Sequence, residues 1–163
     1  MSTILIHSPI EVAQNNFTLN QQTMNIKQFS IGTLVGGVTL FLLGFLVYAV
    51  LFGTFFEANA GSASGVSRAD DSMVMPLLFL GNIAMSALLT YIYLQWAQIS
   101  TFMTGLKGGL IIGLLMNLGH NLIMYSTTNI MNITGTIVDV VLYTIVIGLT
   151  GGVIGLVLGR VKK

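Results

Sequence analysis

The chain has 163 residues, of which 54% are hydrophobic and 7% are charged, whereas an ordinary soluble domain has roughly 25% charged residues. Its net charge of +1 gives it neither the basic face of a nucleic-acid binder nor enough charge to coat a soluble globule. Because it contains no cysteine, disulfide frameworks, thiolate metal sites and cysteine nucleophiles are excluded. The composition predicts an integral membrane protein whose main partner is the lipid bilayer and which binds no nucleic acid.

Residues 1–26 are polar and precede the first apolar stretch. They contain no basic n-region, no long apolar run and no small-residue cleavage site, so they do not have the pattern of a secretory signal. We expect either a disordered tail or, if translation starts at Met24, a segment that is not part of the protein. The membrane domain is expected to cover residues 27–163.

Four stretches are long and apolar enough to cross about 30 Å of hydrocarbon at 1.5 Å per residue. They cover residues 31–56, 73–96, 105–125 and 133–158. None alternates between polar and apolar residues with period two, so helices are predicted rather than the strands of a membrane barrel. Since the second and third loops are short, the predicted fold is an all-α, antiparallel bundle of four transmembrane helices.

The basic residues predict how the bundle is oriented. Arg68 is the one basic residue on the side that holds the loop between the first two stretches, and five others lie on the opposite side. Those five are Lys27, Lys107, Arg160, Lys162 and Lys163. Because cytoplasmic loops and ends carry the excess of Lys and Arg, both termini are predicted to be cytoplasmic.

Glycines recur at four-residue spacing in three of the four stretches. Such residues let helices approach closely in lipid, where apolar contact alone contributes little. We expect them to pack helices, and they are Gly32, Gly36, Gly105, Gly109, Gly113, Gly148, Gly152, Gly151, Gly155 and Gly159. The last five form two stripes on the fourth stretch, which favours the alternative that one stripe serves a second copy of the chain.

A second group, of polar side chains, lies toward the other end of the predicted helices. Its members are Tyr48, Asn82, Asn117, His120, Asn121, Asp139 and Tyr143. An unpaired carboxylate in hydrocarbon costs about 2.5–3.5 kcal/mol, so Asp139 needs a partner, water or a proton. His120 lies at the same predicted depth and is the nearest candidate by depth. Both a structural pair that fixes helix register and a proton-linked or ligand-binding pair fit these residues.

The sequence offers little to a cofactor. A metal site needs more ligands than His120 and Asp139 supply, although a single histidine is able to hold a haem. We therefore expect no cofactor. The aromatic residues Tyr91, Tyr93 and Trp96 near the end of the second stretch fit a belt at the membrane surface.

The run GFLVYAVLFGTFF ends an apolar helix just before a polar loop. Through Gly44, Tyr48, Phe52 and Gly53 it resembles a family of small bacterial membrane proteins that is grouped as a domain of unknown function. The resemblance extends over residues 31–160 in layout. It implies four helices and a bacterial inner-membrane location, but no activity.

Three classes of function fit the sequence. The favoured class is a structural or accessory membrane subunit that acts through helix packing. The second is a small oligomeric transporter or channel component with an outward-facing polar cavity around Asp139 and His120. The third is a membrane enzyme or haem-binding protein, which so few ionisable groups make difficult to build.

Overall fold

The computed structural model describes residues 24–161, and no β-strand occurs among them. Four helices are long and apolar enough to cross a membrane, which fits the prediction of a multi-pass membrane protein. These four, which we number as spans in chain order, are Ile26–Leu51, Met75–Ala97, Phe102–Thr127 and Ile133–Val161. Residues 1–23 of the predicted tail lie outside the described residues, and the first span begins earlier than predicted.

Polar side chains begin three of the spans. Asn25 precedes the first span, and its Oδ1 accepts hydrogen bonds from the backbone N–H groups of the next turn. The Oγ1 of Thr101 does the same before the third span, and the Oδ1 of Asn132 before the fourth. The second span, which begins at Met75, has instead Pro76 in its first turn, where a missing N–H costs little. The helix starts are therefore set locally by the sequence.

The first span is not a uniform α-helix. Ile26–Gly44 is α-helical, Phe45–Leu51 widens into a π-helix, and Phe52 interrupts the helix with a φ of −121° and a ψ of 9°. A short helix, Gly53–Ala58, follows the interruption. The predicted stretch 31–56 therefore comprises two helices, because hydropathy does not register a change in helical winding.

The third span packs against the fourth through glycines. A Cβ added to Gly109 would lie 2.7 Å from the carbonyl oxygen of Ile147 and 3.0 Å from the Cα of Gly148. Gly105 likewise faces the backbone of Gly151 and Gly155, whereas Gly113 faces the side chain of Ile147. Backbone approaches this close are possible only where no side chain intervenes.

Both glycine stripes of the fourth span face the third span or the turn before it. A Cβ on Gly148 would meet the side chain of Leu110, and one on Gly152 would meet Phe102. The glycines that meet the backbone of the same region are Gly151, Gly155 and Gly159. The fourth span therefore has no open glycine stripe for a second copy, contrary to the alternative drawn from the sequence.

The first span lies against both the second and the fourth. A Cβ on Gly32 would lie 2.7 Å from Cγ2 of Thr90 in the second span and 3.2 Å from Cδ2 of Leu158 in the fourth. One turn later, Gly36 faces Ser86 and Ile154. The core that these contacts enclose contains Leu40, Leu89, Tyr93, Val146, Ile147, Ile154 and Leu158.

Tyr93 is fully buried, so its assignment to the aromatic belt is wrong. Its hydroxyl donates to the carbonyl oxygen of Gly105, which connects the second span to the third. A π-helical turn begins at Tyr93, and the α-helical pattern does not predict it. Tyr91 and Trp96 are 40% and 74% exposed, as residues of a belt would be.

Two loops meet at the end of the bundle that carries the polar residues. The backbone N–H of Gly61 donates to the carbonyl oxygen of Ile130 at 2.8 Å. Asn132 donates to Asn59 twice, from its backbone at 3.0 Å and from its side chain at 3.1 Å. At the opposite end, Ser100 in the short turn between the second and third spans lies against Gly159.

Candidate functional site around Asp139

The carboxyl group of Asp139 is held by side chains from two other spans. The hydroxyl of Tyr48 donates to its Oδ1 at 2.7 Å, and Nδ2 of Asn121 donates to its Oδ2 at 2.8 Å. Nδ2 of Asn117 lies 3.4 Å from Oδ2 and 3.2 Å from the backbone oxygen of Asp139. These four residues, which we call the Asp139 cluster, connect the first, third and fourth spans.

The two asparagines continue the glycine stripe of the third span. Gly113, Asn117 and Asn121 follow one another at four-residue spacing, so they share the helix face that packs on the fourth span. Both asparagines are buried, with 7% and 4% of their surfaces exposed. Nδ2 of Asn121 also donates to Oδ1 of Asn117 at 3.0 Å, so the two asparagines are hydrogen-bonded to each other as well as to Asp139.

Tyr48 lies in the π-helical part of the first span. Its ring stacks on that of Phe56, with the ring centroids 5.3 Å apart and the planes at 27°. Phe56 belongs to the short helix that follows the interruption at Phe52, so this change in winding brings the two rings together. The sequence singled out Tyr48 by its polarity in a span but gave no sign of the π-helix.

His120 is not a partner of Asp139. Its side chain is exposed, and it makes no hydrogen bond with any residue in the described part of the chain. The pairing was predicted because the two residues lie at the same depth in the membrane. Depth does not show toward which neighbouring helix a side chain points. Successive residues on an α-helix are separated by about 100°, and Asn121 is the residue that faces the fourth span.

The other two predicted members also lie outside the cluster. Asn82 donates from Nδ2 to the carbonyl oxygen of Leu78 in its own helix, at 2.8 Å. Tyr143 lies one turn after Asp139 on the fourth span, is partly buried, and lines a groove between the second and third spans. It lies close enough to Asp139 and Tyr48 to interact with them electrostatically, but it makes no hydrogen bond with them. Hydrogen bonds therefore join four of the seven predicted polar residues, and Tyr143 lies beside these four.

The cluster provides hydrogen bonds rather than a ligand set for a metal. Among the described residues, no group of three or more His, Asp or Glu side chains is arranged to hold a metal ion. Both oxygens of the Asp139 carboxyl group accept hydrogen bonds from the protein itself. Networks of satisfied polar side chains make a helix arrangement more rigid and more specific.

No protein-family model matches the chain, and neither a curated protein nor a solved structure matches it. The resemblance of residues 31–160 to the small bacterial family therefore stays a prediction from the sequence.

Proposed function

We propose that this protein is a structural or accessory subunit of the membrane that acts through helix packing. The observation that supports this role is that both oxygens of the Asp139 carboxyl group accept hydrogen bonds from other spans, donated by Tyr48, Asn117 and Asn121. A carboxyl group that binds a substrate needs an open position for it. Here each oxygen already accepts at least one hydrogen bond from the same chain.

The proposed role of Asp139 is to fix the first and third spans on the fourth. An isolated carboxylate in hydrocarbon costs about 2.5–3.5 kcal/mol, and hydrogen bonds from the other spans offset this cost only when those spans are correctly placed. The group therefore favours one arrangement of the helices over others. Such a role in helix register is a well-attested use of buried polar groups.

We further propose an antiparallel bundle with both termini in the cytoplasm. Residue contacts support the antiparallel arrangement, because Gly105, Gly113 and Asn117 meet progressively earlier residues of the fourth span. The positive-inside rule supports the orientation. The bacterial inner membrane is the location that the family resemblance implies.

The test of the proposed function is the replacement Asp139→Ala. It would remove the acceptor of the Tyr48 hydroxyl and one acceptor of each asparagine, so we expect the free energy of unfolding in bicelles to fall by about 2–3 kcal/mol. The control is Asp71→Ala, which removes a carboxyl group from an exposed loop and should change that free energy by less than about 0.5 kcal/mol.

A second candidate function is a small oligomeric transporter or channel component. The π-helical turn around Tyr48 supports it, since such turns in α-helices are frequent at functional sites. Proton flux into vesicles, measured for the wild type and for Asp139→Asn, separates the two functions. The structural role predicts no flux above that of empty vesicles for either protein. Flux in the wild type that a folded Asp139→Asn variant lacks would contradict it.

A further inference from the structure

His120 presents an unsatisfied polar group on the surface of the third span. It lies seven residues before the end of that helix at Thr127, which places it about 10 Å from the end. Its imidazole is exposed and has no hydrogen-bond partner among the described residues. A polar N–H that faces hydrocarbon without an acceptor is costly. A partner outside the chain would remove this cost.

Asn82 is the matching group on the second span. It lies seven residues after the start of its helix at Met75, so it is also about 10 Å from the same end of the bundle. Its Nδ2 is used within its own helix, at Leu78, whereas its Oδ1 accepts no hydrogen bond from any described residue. Asn82 therefore offers an acceptor at the depth where His120 offers a donor.

Both residues lie about one helical turn from residues that line one groove. The groove runs between the second and third spans, and its walls include Met85 and Leu89 on one side and Ile112 and Met116 on the other. Asn82 precedes Met85 by three residues and His120 follows Met116 by four, so each lies on the groove side of its helix. No atom lies within 4 Å of a Cβ added to the neighbouring residues Gly81 and Gly119, so the helix surface beside each polar residue is uncovered.

We propose that the second and third spans form the dimer surface of this protein, with a second copy as the occupant of the groove. In the dimer, the imidazole N–H of His120 in each copy donates to Oδ1 of Asn82 in the other. A two-fold axis along the membrane normal repeats each contact, so two such bonds form. Copies inserted in the same orientation satisfy them because the two residues have equal depth. This surface extends the proposed structural role but does not include the Asp139 cluster.

The chain has no cysteine, so Ser64→Cys in the exposed first loop gives a single site for a fluorophore. Energy transfer between donor-labelled and acceptor-labelled copies in lipid vesicles, at increasing protein-to-lipid ratio, measures dimerisation. We expect a transition that fits a monomer–dimer equilibrium. His120→Ala and Asn82→Ala should each weaken the dimer roughly tenfold, since each removes both symmetric bonds. The double variant should be no weaker than either single variant.

Ile137→Ala is the matched control, because Ile137 is 57% exposed on the fourth span, away from the groove. It should leave the transition unchanged. The proposal would be overturned by energy transfer no greater than that of randomly distributed copies at every protein-to-lipid ratio. It would also be overturned if both single variants dimerised like the wild type. His120→Ala should also leave the free energy of unfolding of the monomer unchanged. The dimer surface and the role of Asp139 can therefore fail independently of each other.

Discussion

Asp139 is the one acidic residue inside a span, and its surroundings explain how the fold tolerates it. Tyr48 approaches from the first span, and Asn117 and Asn121 approach from the third. No basic side chain takes part, so the carboxyl group is held by hydroxyl and amide donors alone. In a membrane such interhelical hydrogen bonds contribute on average about 0.6 kcal/mol each, with about 1.7 kcal/mol as the largest measured value.

At the scale of single residues, the clearest prediction concerns Tyr48. Tyr48→Phe keeps the ring that stacks on Phe56 and removes the hydroxyl that donates to Asp139. We expect the free energy of unfolding to fall by about 1 kcal/mol. Tyr143→Phe is the control, because the Tyr143 hydroxyl makes no hydrogen bond with the described residues. Equal effects of the two changes in a detergent unfolding titration would contradict the account.

The sequence predicted the polar residues of the site but not all of their partners. Asp139, Asn117, Asn121 and Tyr48 stood out because polar side chains in an apolar span are rare and costly. The pairing with His120 failed because distance along a helix gives depth and not direction. The sequence did indicate which side chains of the third span face the fourth span, since Asn117 and Asn121 continue the glycine stripe at four-residue spacing.

At the scale of elements, the closest packing is between the third and fourth spans. Glycines of one stripe of the fourth span, such as Gly151 and Gly155, allow the two backbones to touch, and those of the other stripe, Gly148 and Gly152, make room for the side chains of Leu110 and Phe102. The first span instead meets its neighbours through glycine against side chains, as at Gly32 and Thr90. The third and fourth spans therefore form the tightest pair, on which the first span packs.

Gly109→Ala tests this packing. The added Cβ would lie 2.7 Å from a carbonyl oxygen of the fourth span, which forces the two helices apart. We expect a loss of about 1–3 kcal/mol of stability, the usual cost of overpacking. Gly44→Ala is the matched control, since nothing lies within 4 Å of its added Cβ. It should be neutral or slightly stabilising, because alanine favours helices over glycine. A Gly109→Ala variant as stable as Gly44→Ala would show that the backbones are not in contact.

The two π-helical turns are the features of the elements that the sequence could not predict. Phe45–Leu51 and Tyr93–Ala97 have the apolar composition of ordinary spans. Each turn contains a tyrosine that donates to another span, Tyr48 to Asp139 and Tyr93 to Gly105. Hydropathy and local propensity contain no information on such contacts, so the burial of Tyr93 was missed.

For the whole molecule, composition alone predicted the class of protein, and the four long apolar helices agree with it. The two ends of the bundle differ in chemistry. The end with the paired loops 59–63 and 129–132 is near the Asp139 cluster, whereas the opposite end has Lys27, Lys107 and Arg160. This difference in charge is the basis of the proposed orientation.

In the proposed orientation the chain crosses the bilayer four times and both termini lie in the cytoplasm. Single cysteines in the cysteine-free chain test this directly, one at Ser64 in the first loop and one at Ser100 in the second. Both positions are exposed. A membrane-impermeant maleimide should label Ser64→Cys in intact cells and Ser100→Cys only after the membrane is opened. Labelling of Ser100→Cys in intact cells, or of both positions equally, would contradict the account.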